Sequence, residues 1–226
     1  MPNHRSAARR IGLLLIAVGT AALAFVGYQL AGTGLYAARA QAALRHGLSR
    51  AWSSPPPAAT PGASVPRWAT PTLGDAVAIL RVPRFGRSYA EVIVEGVTLA
   101  DLRRGPGHYP GSALPGQVGN FAVAGHRTTW GAPFGRLGEL RPGDAIVVET
   151  AREWLTYTVT GSRIVAPTAV TVTASVPGAP GQRASAALLT FTTCNPRFSD
   201  RQRLVVFGRL TARLSRSAGW PPSLAA

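Results

Sequence analysis

Residues 188–210 read LLTFTTCNPRFSDRQRLVVFGRL. Two apolar runs, Leu188–Cys194 and Arg203–Leu210, flank a polar stretch opened by Asn195-Pro196. Short runs rich in Leu, Val, Thr and Phe favour strands, and Asn-Pro initiates a turn. The segment therefore predicts two antiparallel strands, with Cys194 at the exit of the first. Arg203 opens the second, so the fold-back brings its guanidinium beside the thiol.

The same rhythm of short apolar runs broken by Gly, Pro and Asn extends outward over 73–214. Further strands are expected at Ala76–Val82, Tyr89–Val94, Phe121–Ala124, Asp144–Glu149 and Trp154–Val165, with the hairpin's strands over Ala186–Thr193 and Leu204–Leu210. One short helix is expected after Thr98, whose hydroxyl caps the turn while Asp101 completes a capping box. Gly105-Pro106-Gly107 and Pro115-Gly116 mark tight loops. Seven or eight strands without crossover helices argue for an all-β closed barrel or sandwich. No internal repeat is visible, and residues 215–226 read as a structureless tail.

Upstream, Ile11–Leu30 reads IGLLLIAVGTAALAFVGYQL without one charge. About twenty residues at ~1.5 Å each cross the ~30 Å hydrocarbon layer. A secretory signal peptide is the competing reading, but its apolar region usually runs ~7–15 residues, and here the uncharged stretch continues through Tyr36. The chain is therefore divided into a basic N-terminus (1–10), a transmembrane anchor (11–36), a stalk (37–72), a catalytic domain (73–214) and the tail. His4, Arg5, Arg9 and Arg10 place the N-terminus on the cytoplasmic side and the domain outside. Arg39–Trp52 has helical character, whereas Ser53–Thr72 carries six prolines and reads as a semi-rigid spacer.

The formal charge is +15, and all 24 basic residues are arginine. They are scattered, with no nucleic-acid-binding signature, so nucleic acid is not expected as a partner. Attraction to anionic lipid or wall polymers and a merely solvated arginine surface both remain open. One cysteine excludes an internal disulfide. A lone cysteine is commonly a small buried hydrophobe, so the surroundings of Cys194 must decide its role. A nearby cation favours thiolate, and an arginine fork can bind an oxyanion; equally, Arg203 could merely solvate a loop that also holds Arg197 and Arg201. Of four histidines, His126 ends the small-residue run NFAVAGH and projects from a strand end, whereas His108 lies in a Gly/Pro turn and reads as a surface residue. No CxxC, HExxH or acidic-loop pattern is present, so neither a metal nor another cofactor is expected.

Taken together, these segments resemble the sortases, which join sorting-signal proteins to cell-wall or pilin amines in Gram-positive bacteria. TFTTC, Thr190–Cys194, is similar to the family's TLxTC signature with Phe191 in place of Leu. GNFAVAGHR, Gly119–Arg127, resembles its histidine motif, and GPGHYPGSALPGQVGN resembles the loop before it. GHRTTWGAPF and CNPRFSDRQRLVV are most similar to class E sortases of actinobacteria, with class D as the neighbouring alternative. The resemblance implies a closed β-barrel of about eight strands with short helices, Cys194 as nucleophile, His126 as acid/base partner and Arg203 as oxyanion stabiliser. It implies secreted proteins bearing Leu-Ala-X-Thr-Gly or Leu-Pro-X-Thr-Gly signals as substrates, and a peptidoglycan precursor amine as acceptor. A tyrosine before the histidine is tied to the alanine preference of class E, making Tyr109 the candidate; Phe191, Thr192, Thr193 and Trp130 complete the expected substrate-binding set. Two alternatives stand beside this: an extracellular acyltransferase of the L,D-transpeptidase kind, whose SxGC-type motif is missing, and a membrane-tethered binding protein without catalysis.

Overall fold

The computed structural model describes residues 4–53 and 71–225. Eight strands are present, β1 (Ala76–Arg81), β2 (Glu91–Glu95), β3 (Gly107–His108), β4 (Gly119–Ala124), β5 (Ala145–Glu149), β6 (Glu153–Val165), β7 (Ala187–Asn195) and β8 (Gln202–Ser215). They form a closed barrel in the order β1-β2-β3-β4-β7-β8-β6-β5, sealed by antiparallel pairing of β1 with β5. Seven of them fall where the apolar runs predict. β3 is only two residues long, too short to carry any periodicity. The β7–β8 pair is antiparallel, as the Asn-Pro turn requires, but β2–β3 and β4–β7 are parallel.

Alternation along the strands fills the interior. Phe121 and Val123 of β4, Leu189 and Phe191 of β7, and Leu204 and Val206 of β8 all point into one core. Leu155 and Tyr157 of β6 join it, and the Tyr157 hydroxyl accepts the Gly116 N–H at 2.7 Å. The whole of β4 is buried, because its outward residues Asn120, Ala122 and Ala124 are also covered. Asn120 Nδ2 donates to Val172 O (3.2 Å) and Ala174 O (3.0 Å), drawing the β6–β7 connection over that face.

Before the barrel, α1 (His4–Gly27) continues through a π-type turn at Tyr28–Gly32 into α2 (Thr33–Ser53). Ala7–Gly27, 21 residues, is long and apolar enough to cross a membrane. The helical character expected over Arg39–Trp52 is present within α2, and this helix docks on the barrel. Leu44 and Leu48 of α2 pack on Ile79, Val92 and Val94. The Gln41 amide donates to Val92 O (3.0 Å) and Arg104 O (2.8 Å) and accepts the Val92 N–H (2.7 Å). These backbone groups face away from β1, and β3 is too short to reach them, so Gln41 completes the ladder that a longer strand would have made. Most of the proline-rich spacer, 54–70, lies outside the described residues.

The predicted helix is α3 (Leu99–Leu102), and both arms of its Thr98–Asp101 capping box form. A structureless tail after Leu214 is not what the structure contains. Ser215 caps a 3-10 turn over Arg216–Ala218, and the Trp220 ring lies 5.1 Å from Trp154 and 5.1 Å from the Arg81 guanidinium. Aromatic and arginine side chains dock the tail where its small and polar residues suggested none.

Candidate active site

The parallel β4–β7 pair sets Ala124 opposite Thr192. Two residues further along each chain come His126 and Cys194. Side bonds carry the pairing past the ladder's end: Gly125 N–H donates to Thr192 O at 3.1 Å, and Thr193 Oγ1 donates to Gly125 O at 2.7 Å. On the other flank of β7, Cys194 pairs directly with Arg203. Three residues far apart in sequence thus share one end of three adjacent strands, in the phase opposite to inward Phe191 and Leu204. Gly125 is required there, because a Cβ would stand 2.7 Å from the Phe134 ring. That ring packs on Phe191 with centroids 4.8 Å apart, and Phe134 N–H donates to His126 O.

Cys194 is a free, half-buried thiol. His126 is also half-buried, and its Nε2 is buried without a hydrogen-bond partner. Burial lowers its pKa below the ordinary histidine value, and the Arg103 charge lowers it further. Its neutral imidazole is therefore suited to accept a proton from a thiol and deliver it elsewhere. Arg203 sits in register beside Cys194, with its guanidinium donating to Asp200 O (2.7 Å) and Gln202 O (3.0 Å) of the β7–β8 connection. The side chain therefore braces the loop next to the nucleophile.

Tyr109 hydrogen-bonds through its hydroxyl to Thr192 Oγ1 (2.9 Å) on the outward face, one turn of the pleat from Cys194. Phe191 does not join them. It is fully buried inside the barrel and packs in the core. Thr193, also buried and committed to Gly125 O, holds strands together instead of facing substrate. Trp130 packs against Tyr36 of α2 (5.5 Å) and under Arg103 (4.9 Å), while its N–H donates to Thr33 Oγ1.

The expected surface histidine, His108, is buried. Its Nδ1 meets Glu95 Oε2 at 2.6 Å, and Nε2 meets Ser112 Oγ at 2.8 Å and Ala113 O at 3.1 Å. The parallel β2–β3 register sets Glu95 opposite His108, a neighbour that a sequence with no visible β3 could not reveal. The pair fixes the start of the loop that carries Tyr109. Arg127 was also missed as a site residue: its guanidinium donates to Cys194 O. No cluster of three or more potential metal-ligating side chains occurs among the described residues.

A sortase-domain family model matches residues 80–211, and the chain belongs to the sortase family. Within the family its likeness runs to sortases of class E. Sortase SrtE1 of Streptomyces coelicolor is 33% identical over 226 residues, covering 96% of this chain and 61% of that protein. This chain thus spans about three fifths of that relative's length. The solved sortase E of Streptomyces avermitilis is 38% identical with a TM-score of 0.62, covering 68% of this chain and 99% of that one. The SrtF sortase of Corynebacterium diphtheriae is 35% identical with a TM-score of 0.67, covering 73% and 99% respectively.

Proposed function

We propose that the chain is a membrane-anchored cysteine transpeptidase that cleaves a sorting signal between Thr and Gly and passes the acyl group to a cell-wall amine. The observation that carries this reading is the register: Cys194 lies opposite Arg203 in β8, and Gly125, the residue before His126, bonds to Thr192 and Thr193 just ahead of Cys194. In the first half-reaction His126 takes the thiol proton as Cys194 Sγ attacks the threonine carbonyl carbon. Arg203 leaves its loop carbonyls to stabilise the oxyanion. The tetrahedral intermediate collapses to a thioester, the C–N bond breaks, and the imidazolium protonates the departing glycine amine. In the second, an amine attacks the thioester, His126 removes its proton, and the thiol is restored as the amide forms. The acceptor is an amine of a peptidoglycan precursor.

Tyr109, held by Thr192 on the outward face, supports a Leu-Ala-X-Thr-Gly preference. Trp130 borders the loop after His126. The anchor is α1, with the basic N-terminus cytoplasmic and the barrel outside, and residues 73–214 form the catalytic unit.

The test is mass spectrometry of full-length protein in detergent, incubated with Leu-Ala-X-Thr-Gly or Leu-Pro-X-Thr-Gly peptides and an amine donor. Thr–Gly cleavage with amine transfer, abolished by Cys194→Ala, is the expected result. A folded native protein that forms no thioester with either peptide would remove the catalytic reading and leave a tethered binding protein in its place.

A further inference from the structure

Arg127, immediately after His126, has no part in the reaction as set out above, yet its guanidinium turns toward the nucleophile's strand. Nη1 donates to Cys194 O at 3.1 Å and to Asn195 Oδ1 at 2.5 Å. Asn195 passes the contact on, its Nδ2 donating to Gln202 Oε1 at 3.0 Å on the facing residue of β8. Nε of Arg127 is buried and without a partner. A cation placed there is costly, because each desolvated donor without an acceptor weakens the fold. Burial and the neighbouring Arg197 charge both lower the Arg127 pKa, and Cys194 opposes them.

His126 consequently stands between two grips on β7. Before it, Gly125 holds Thr192 and Thr193; after it, Arg127 holds Cys194 and Asn195. The ladder itself stops at Ala124 and Thr192; past it the two Gly125 bonds lie before Cys194 and an exposed Arg197 Nη2 bond to Gly135 O lies after it, so Arg127 supplies the grip on Cys194 itself. Arg203 does not substitute, since its guanidinium donates to Asp200 O and Gln202 O on the opposite flank of β7.

We propose that Arg127 is a positioning residue for transpeptidation: it clamps the Cys194 end of β7 to the His126 end of β4 and sets a fixed cation beside the thiolate. The inference rests on the reading of Cys194 as nucleophile. Misplacement of a reacting pair lowers the chemical step while leaving peptide binding along the outer groove intact.

Full-length protein in detergent, native and as Arg127→Gln and Arg127→Lys, tests this with two readouts normalised to folded protein. Peptide turnover by Arg127→Gln should show kcat about 10- to 100-fold lower with KM within about twofold of native. Alkylation of Cys194 by iodoacetamide at fixed pH, which needs no substrate, should slow about tenfold in Arg127→Gln. Arg127→Lys keeps the charge and loses the planar fork; it should restore most of the alkylation rate and only part of kcat. If Arg127→Gln fails to fold, the lysine variant alone decides. Native kcat and alkylation in the folded variants, or losses that follow only the folded fraction, would overturn the proposal. Arg127-dependent alkylation in a native protein that makes no product would instead sink the transpeptidase reading, and with it the role of Arg127 in transpeptidation, while leaving its clamp on a reactive Cys194.

Discussion

Replacing Gln41 with leucine should destabilise the barrel far from the reacting groups. Gln41 is the sole side chain shown to serve both the N–H and the C=O of Val92, and Val92 is fully buried. Leucine fills similar space and excludes water while offering no polar atom. Each backbone group orphaned in that way costs about 1–3 kcal/mol, so the two at Val92 cost about 2–6 kcal/mol. Added leucine burial returns about 1 kcal/mol, leaving a net loss near 3 kcal/mol. For a chain of this size, 1 kcal/mol corresponds to about 2–4 °C, so the melting temperature should fall by about 6–12 °C. Gln41→Glu should fall between, since a carboxylate still accepts from Val92 N–H but cannot donate to Val92 O. Thermal unfolding of the detergent-solubilised full-length chain by circular dichroism reads the series. A melting point for Gln41→Leu within about 1 °C of native would refute the claim that α2 completes the β2 edge.

Two pH predictions follow from groups outside the membrane span. Burial and Arg103 hold His126 below the ordinary histidine pKa, so between that lowered value and 6.5 the unfolded chain binds more protons and stability rises with pH through the window; Arg103→Gln should move the His126 imidazole titration, followed by NMR, to higher pH, and an unmoved titration would exclude Arg103 as a cause. Burial raises Glu91 to about 7, with Arg45 opposing, so its protonated form supports the fold below about 4.5 and that support is lost as pH rises toward 7. Glu91→Gln should therefore flatten denaturant stability between pH 5 and 8, by up to about 3 kcal/mol, whereas an unchanged pH slope would contradict the buried carboxyl.

The strand pattern was legible because most of the apolar runs are closed by Gly, Pro or Asn, and the β7–β8 partnership of Cys194 with Arg203 followed from an Asn-Pro turn alone. The β4–β7 partnership was different. A parallel pair is joined by no turn, so nothing local in NFAVAGH or LLTFTTC states that one lies beside the other; the family motifs supplied His126, and the structure supplied the reason. The burial of Phe191 was not legible from the motif, because a position three residues before Cys194 carries no statement of which face it takes, whereas strand alternation from Cys194 places it in the core. His108 looked exposed because Gly and Pro surround it, but those residues make the turn that lets a buried histidine reach Glu95. The docking of α2 was hidden in an Ala-rich stretch whose decisive residue is one glutamine.

That docking also bears on where the chemistry takes place. Thr33 and Tyr36 belong to the first turn of α2, and both touch Trp130, four residues after His126. Only the turn at Tyr28–Gly32 separates them from the apolar span that ends at Gly27, roughly 9 Å of helix at 1.5 Å per residue. Trp130 and Ala132 carry positive φ angles of 54° and 46°, a conformation costing about 1–3 kcal/mol for each such residue and held only where surroundings dictate it. One of those surroundings is α2, the helix that follows the apolar span. With α1 in a bilayer, the loop following His126 therefore faces the membrane-proximal side of the barrel. A long free tether would let the barrel sample every orientation, whereas a docked α2 presents the same face to the lipid surface in each molecule. An acceptor amine carried on a lipid-linked precursor would arrive from that side, which favours such an acceptor over an amine already embedded in distant wall polymer.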